Sequence, residues 1–463
     1  MVGEQLRGSR MPIRYAIVQE AAAAVMQAAL TALAAIEAEP VFVPEKGPGW
    51  RRSGQETLVV VRRRRWRPPL PLSTGGWWDR LEPMAAFRDA LAAHPDLGGR
   101  VDTLVGFEFS RTNRSLTEML YRHLLEPLVT RAGGYVWDRA VFQECYADIE
   151  AGLLEPAVRL VQVVPLLGFD LAGDRTIDLG AGLGIRLMSD AELSAVVEAG
   201  LPDQASGNTQ YREVSRFYQC ALVRLSTHAV CTGGATAAVT PPARLDKCAK
   251  RLLIALRLVC GGSVTLGRHL QMQHPDDFDA APGCTIDRSW SQAPDLGRPT
   301  ILWSTDDLAL IQDIMQRLEH PGVTGDRSLQ MAIRRVMAAG DLAEPEDRLV
   351  DLVIAGEALF IHGADRRRTK TDRSPKRDQI AADAVDLLAS DPVLGAAPDA
   401  IEALAKGSYR RRNHEVHADP GPVPQIPLLD GSPAARLNVA LVDLEKMMRR
   451  ACLLRIQQAT STP

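Results

Sequence analysis

No two cysteines in this chain stand at CxxC spacing. The seven cysteines (145, 220, 231, 248, 260, 284 and 452) are scattered and odd in number. That excludes a compact zinc module and a disulfide scaffold, and it reads as buried thiols in a reducing cytoplasm. Aromatic residues are scarce, at 5%. No strong excess of charge of one sign is present either. The net charge of −3 says nothing about partners, because the positive charge is clustered locally. No internal repeat is visible.

Long apolar runs are also missing, with one stretch to check. Arg7, Arg10 and Arg14 precede "AIVQEAAAAVMQAALTALAAIEAE", an order shared with signal peptides. Gln19, Glu20 and Gln27 interrupt the run and no clean cleavage site follows, so an Ala-rich amphipathic helix is expected. Nothing else approaches the length of a membrane span. The expectation is a cytoplasmic protein with no membrane attachment.

What is present is ordinary globular material, 46% hydrophobic over 463 residues, enough for two or three domains. Helical patterns fall at about 16–38, 83–93, 114–131 and 137–152. "PVFVPEKG" and "ETLVVVRRRRWRP" read as two strands around a Gly/Arg-rich turn. "AVRLVQVVPLLGF" has a strand's composition, and "ARLDKCAKRLLIALRLVC" reads as one long helix. From about 304 the pattern changes. Ser304 or Thr305 caps a helix, and further helices follow at about 326–340, 346–362, 376–390, 397–417 and 432–458 with no strand pattern between them. The expected fold class is an α+β N-terminal region over 1–300, with a subdivision near 150, followed by an all-α C-terminal bundle over 301–463.

"TIDLGAGLGIR" (176–186) resembles the first motif of S-adenosylmethionine-dependent methyltransferases, in which glycines bring the backbone close to the cofactor as a strand turns into a helix. The context argues against it. "GIRLM" continues as a strand, and "SDAE" (Ser189 to Glu192) has the form of a capping box that starts the helix several residues late. A β-hairpin with a Gly-rich turn is the better expectation, and no cofactor is expected.

Two basic stretches, "RRRRWR" (62–67) and "DRRRTKTDRSPKR" (365–377), suit phosphate contacts, and Trp66 suits base stacking. Each also has a plain reading: charge protects an edge strand in the first, and the second is a surface loop.

The most informative stretch is "YRRRNHEVHAD" (409–419). On a helix over 397–417, Ile401, Leu404, Ala405, Ser408, Arg412 and Val416 share one face. Arg410 points away and Arg411 flanks, so Arg412 is the arginine directed inward, where it needs a carboxylate, phosphate or backbone partner. His417 follows five residues later, about 140° round an ideal helix. The two meet either if the last turn unwinds before Pro420, or if two copies of this helix end face each other. Arg, His and Asn together suit metal-free phosphodiester cleavage. The guanidinium neutralises charge developing on phosphorus, the imidazole moves protons from a ribose 2′-OH or to the leaving oxygen, and Asn413 orients either partner. DNA lacks that hydroxyl, so such a site cuts RNA. The bare spacing is weak, since Arg88 and His94 also satisfy it.

"EPEDRLVDLVIAGEALFIHG" (344–363) followed by "YRRRNHEVHAD" resembles an ApeA-like HEPN domain protein. HEPN domains are all-α bundles with an Arg-polar-x₃-His motif in a late helix, matched here by Arg412-Asn413-His414-Glu415-Val416-His417. The likeness is strongest over about 325–420, with fainter similarity in "LLIALRLVCGGSV" and "IDLGAGLGIRLMSDAEL". The resemblance implies a homodimer or higher oligomer with a composite, metal-independent endoribonuclease site that leaves a 2′,3′-cyclic phosphate. It also implies a role in bacterial anti-phage defence by abortive infection, with cellular RNA as target and an unknown trigger. Carried over, Arg412 and His417 are the catalytic pair and Asn413 the accessory. Asp351 and Glu357 are expected to support them by pairing with motif residues. Arg410, Arg411, Arg366, Arg367, Arg368 and Lys370 are RNA-facing candidates or merely solvated, and His414 is expected at the surface. The chain departs from the pattern at Gly356, where the family usually has Leu, and in the basic loop after Phe360. The alternatives are a catalytically silent HEPN dimer binding RNA or nucleotide, and the methyltransferase.

Overall fold

The computed structural model describes residues 13–461 except 45–48, 54–56, 62–63, 71, 73–74, 102–103, 108–109, 114, 156, 171–175, 181, 191, 194–219, 230–244, 263, 268, 275–283, 286–300, 303–306, 363–374, 418–420 and 435. It contains helices together with mainly antiparallel sheets.

In the first part, α1 (Ala16–Ile36) buries Val18, Ala22, Val25, Met26, Ala29, Leu30 and Leu33, the face its 3.6-residue period predicts. By length and composition it is apolar enough to cross a membrane, and half of its most apolar window is buried inside the protein. Its start is held by Glu150, whose carboxylate accepts the backbone N–H groups of Arg14 and Tyr15 at 2.5 and 3.2 Å. Helices α2 (Met84–Ala92), α3 (116–132, wound as a π-helix over Leu120–Leu125) and α4 (Arg139–Leu154) complete this layer. Asp138 caps α4 by accepting the N–H groups of Ala140 and Val141.

The two strands expected around the Gly/Arg turn are four: β1 (Val41–Pro44) pairs with β4 (Arg64–Arg67), and β2 (Gly49–Ser53) with β3 (Thr57–Val61). Trp66 does not present its ring for base stacking. It is fully buried, with Tyr121 and Tyr135 each 6.0 Å away between ring centroids. Strand alternation explains this, because one face of β4 has to cover the core.

The second part is built on a sheet of β5 (Ala157–Leu167), β6 (Ile177–Gly180), β7 (Leu183–Leu187), β8 (Cys220–Ala229), β9 (Leu270–Gln273) and β10 (Cys284–Thr285). Their order is β10-β9-β5-β8-β7-β6, with β5 central. The glycine-rich stretch is the hairpin β6–β7, paired antiparallel. Gly182 turns there at φ +70°, and a Cβ on it would lie 2.7 Å from the Leu225 carbonyl. Its glycines therefore serve strand-to-strand return and not the strand-to-helix turn a methyltransferase needs. The capping box forms reciprocally: Ser189 N–H donates to Glu192, and Glu192 N–H to Ser189 Oγ.

Helix α5 (Leu245–Val259) lies between this sheet and the later helices. Its buried Arg257 donates to Val264 O at 2.6 Å, to Met337 O at 2.9 Å, and to Asp341. The helices after it are α6 (Asp307–Arg317), α7 (Pro321–Gly325), α8 (Arg327–Asp341), α9 (Pro345–Glu357, continued as a π-helix over Ala358–His362), α10 (Lys376–Leu388), α11 (Pro398–His417) and α12 (Leu437–Ser461).

The hydrophobic cores do not divide near 300. One core runs from Val18 to Leu153, and the other joins the sheet to the helices from Val164 to Ile456. The apolar face of α5 is the reason, because it packs against α6, α8 and α12 as well as the sheet. The separation falls near 155, beside the subdivision expected near 150.

Candidate functional site

Helix α11 carries the motif. Ile401, Leu404, Ala405 and Ser408 are buried against α9, α10 and α12, as their spacing requires. The same face then leaves the core: Arg412 is half-buried and Val416 is 50% exposed. The last two turns therefore project beyond the packed interior.

Alongside them runs a proline-rich strap, with prolines at 422, 424 and 427. It starts with Gly421 beside His414 and reaches Ile426 and Pro427 beside Gly407, so it travels back down α11. Gly407 permits that approach, since a Cβ there would stand 2.8 Å from Pro427 Cδ. Beyond it Leu428 and Leu429 pack on the core, Gly431 turns the chain at φ +84°, and Asp443 of α12 accepts the Leu429 N–H at 2.8 Å. This turn and the Pro427–Pro433 bridge occupy residues expected to begin the last helix, which starts at Leu437 instead. An open helical glycine gains up to about 1 kcal/mol on substitution by Ala. Gly407→Ala is expected to lower the melting temperature instead, because overpacking costs about 1–3 kcal/mol. Differential scanning calorimetry measures this.

Periodicity separates Arg410 from the other two arginines but not Arg411 from Arg412, which are both half-buried. Arg410 is exposed, and Arg411 forms an ion pair with Glu415 at 2.6 Å. Arg412 donates through Nη1 to Asn413 Oδ1 at 3.0 Å, and its Nε is buried without a hydrogen-bond partner. Among the described residues no carboxylate pairs with it. Two more buried polar atoms near it also lack hydrogen-bond partners, Ser408 Oγ one turn below and His414 Nδ1. Such orphans concentrate where a ligand or water is expected. His417 is exposed at the helix end.

The helix stays wound through His417, so the last turn does not unwind. Within one chain Arg412 and His417 therefore point about 140° apart.

Asp351 and Glu357 do not pair with the motif. Asp351 takes Arg335 at 2.7 Å, because α8 packs against that flank of α9. Glu357 is half-buried at the end of α9, before the π-helical segment. Gly356 is buried 3.6 Å from Met448 Cε, measured from a Cβ built on it, so Met448 holds the room a leucine would need. Arg366, Arg367, Arg368 and Lys370 lie outside the described residues. His414 is not simply a surface residue. It is half-buried, with Nε2 at 3.1 Å from the Gly421 carbonyl. A glycine inside a helical pattern was the one sequence signal of the strap, since it marks close approach by another segment.

No family model, curated protein or solved structure matches this chain.

Proposed function

We propose that the chain is a metal-independent endoribonuclease of the HEPN type, with an α+β N-terminal region and an all-α HEPN helical part carrying the site. The observation that supports this most is the Arg412 guanidinium, which among the described residues has no carboxylate partner and lies on a helix end that also presents His417. In this reading a ribose 2′-oxygen attacks the adjacent phosphorus and gives its proton to an imidazole. The guanidinium offsets the charge that builds on the phosphoryl oxygens. The 5′-oxygen leaves with a proton, and a 2′,3′-cyclic phosphate remains. Asn413 orients Arg412.

Because Arg412 and His417 diverge around a continuous helix, the reading requires two copies, with an arginine and a histidine from different chains in one cleft. Val416 and Val423, 50% and 52% exposed, flank that end and suit a surface covered by a second copy. Val416→Asp is then expected to shift the protein to monomer in sedimentation velocity and to abolish cleavage. Cellular RNA as substrate, a cytoplasmic location and a role in anti-phage abortive infection complete the proposal, with the N-terminal region over 1–300 as sensor or restraint.

The test is incubation with total RNA in EDTA followed by mapping of cut ends. Internal cuts with cyclic phosphate ends are expected. An intact RNA pool under conditions that keep the protein dimeric overturns the reading. The 140° divergence also favours one alternative, a silent dimer that binds RNA. It would show steeply salt-dependent binding and no cut ends.

A further inference from the structure

His414 lies between the two proposed catalytic residues; it is half-buried, and among the described residues no carboxylate meets its imidazole. Its Nε2 meets a backbone carbonyl, which can only accept, so the ring carries its proton on Nε2 and donates it to Gly421 O at 3.1 Å. Its Nδ1 is buried and has no hydrogen-bond partner among the described residues.

The end of α11 projects beyond the core, so little but the helix itself holds its direction. The Arg411–Glu415 pair spans the same region, but an i,i+4 pair contributes little and ties the helix only to itself. The His414–Gly421 bond is different because it joins the helix end to another segment. That segment is itself anchored: its prolines restrict the backbone, Ile426 is 4% exposed, and Leu429 is tied to α12.

We propose that His414 is a positioning residue, whose Nε2–H···O=C bond to Gly421 clamps the final turn of α11 to the proline strap and so fixes the direction of His417 relative to Arg412. The effect on rate rests on the ribonuclease reading above. The clamp itself does not.

The experiment compares wild type, His414→Ala and His414→Gln in the full chain, by steady-state RNA cleavage in EDTA and by hydrogen exchange at the amides of Glu415, Val416, His417 and Ile426. The Gln side-chain amide can donate to Gly421 O, whereas Ala cannot. The Ala variant is expected to lose about 10–100-fold in kcat with KM little changed, since small misplacement of a reacting group costs on that order. Its α11-end amides are expected to exchange faster, and Gln is expected to recover most of both. Wild-type rate and exchange in the Ala variant would overturn the proposal. So would a Gln variant as slow as Ala with wild-type exchange, which would mean the imidazole acts by its own chemistry. If wild type cleaves no RNA, the ribonuclease reading falls, and the exchange data alone decide whether the clamp exists.

Discussion

Arg412→Ala and His417→Ala are each expected to remove nearly all RNA cleavage in EDTA. Deleting one preorganised donor to a developing oxyanion costs about 10²–10³-fold in rate. Losing a general acid or base costs about 10²–10⁴-fold. Arg412 has more at stake than its neighbours because among the described residues no carboxylate neutralises its charge. Arg411 is neutralised by Glu415, so Arg411→Ala is expected to weaken RNA binding modestly while leaving kcat close to wild type. Arg412→Lys is expected to recover little, because a point charge lacks the guanidinium fork. The double variant is expected to be little worse than either single one, since residues that act as a unit are not additive. Single-turnover cleavage of one defined RNA compares all five variants. Undiminished cleavage by the double variant would place the chemistry elsewhere.

The second large effect concerns the bundle that holds α11. Asp391 is buried in the connection between α10 and α11, where Arg450 of α12 grips it with two hydrogen bonds of 2.7 Å. The same carboxylate accepts the N–H groups of Val393 and Leu394 at 3.4 and 3.3 Å. Arg450→Met leaves a buried carboxylate without its cation, and a loss of about 3–5 kcal/mol is expected. The exposed pair Arg88–Asp79 serves as control. Its side chains are 50% and 47% exposed, and Arg88→Met is expected to shift stability by about 0–1 kcal/mol. Urea unfolding followed by helical circular dichroism compares the two.

The pair also makes the bundle acid-sensitive. The Arg450 hydrogen bonds hold the Asp391 carboxyl below the usual carboxylate range. A group with a depressed folded-state pKa stabilises the fold fully above its unfolded pKa, and that stabilisation is lost as pH falls through the folded value. Wild type is therefore expected to lose stability from pH 5 downward, and Asp391→Asn to show a flatter profile over the same interval.

The positions of elements were largely legible in the sequence because their causes are local. The 3.6-residue period of α1 and α11, the Asp138 cap, and the Ser189–Glu192 box each involve neighbours along the chain. The exposure of Arg410 was legible for the same reason. The burial of Trp66 was not. "RRRRWR" shows that charge surrounds it, but strand alternation decides which side covers the core, and Tyr121 comes from α3 and Tyr135 from the connection between α3 and α4. Nor could composition locate the division between cores, since α5 has an amphipathic pattern whichever neighbours it packs on.

For the candidate site, the sequence by itself determined the helix, the inward turn of Arg412 and the stop near Pro420. Those follow from helical geometry and from the backbone limits that proline imposes on the residue before it. Only the tertiary structure decided that Asp351 belongs to Arg335, that Arg412 has no carboxylate partner among the described residues, and that His414 is tied to Gly421. Each depends on which of several chemically competent partners the packing brings within about 3 Å, the reach of a hydrogen bond. Along α11 only Gly407 marks the close approach of another segment, and nothing there says that the segment is a strap folding back from beyond the helix.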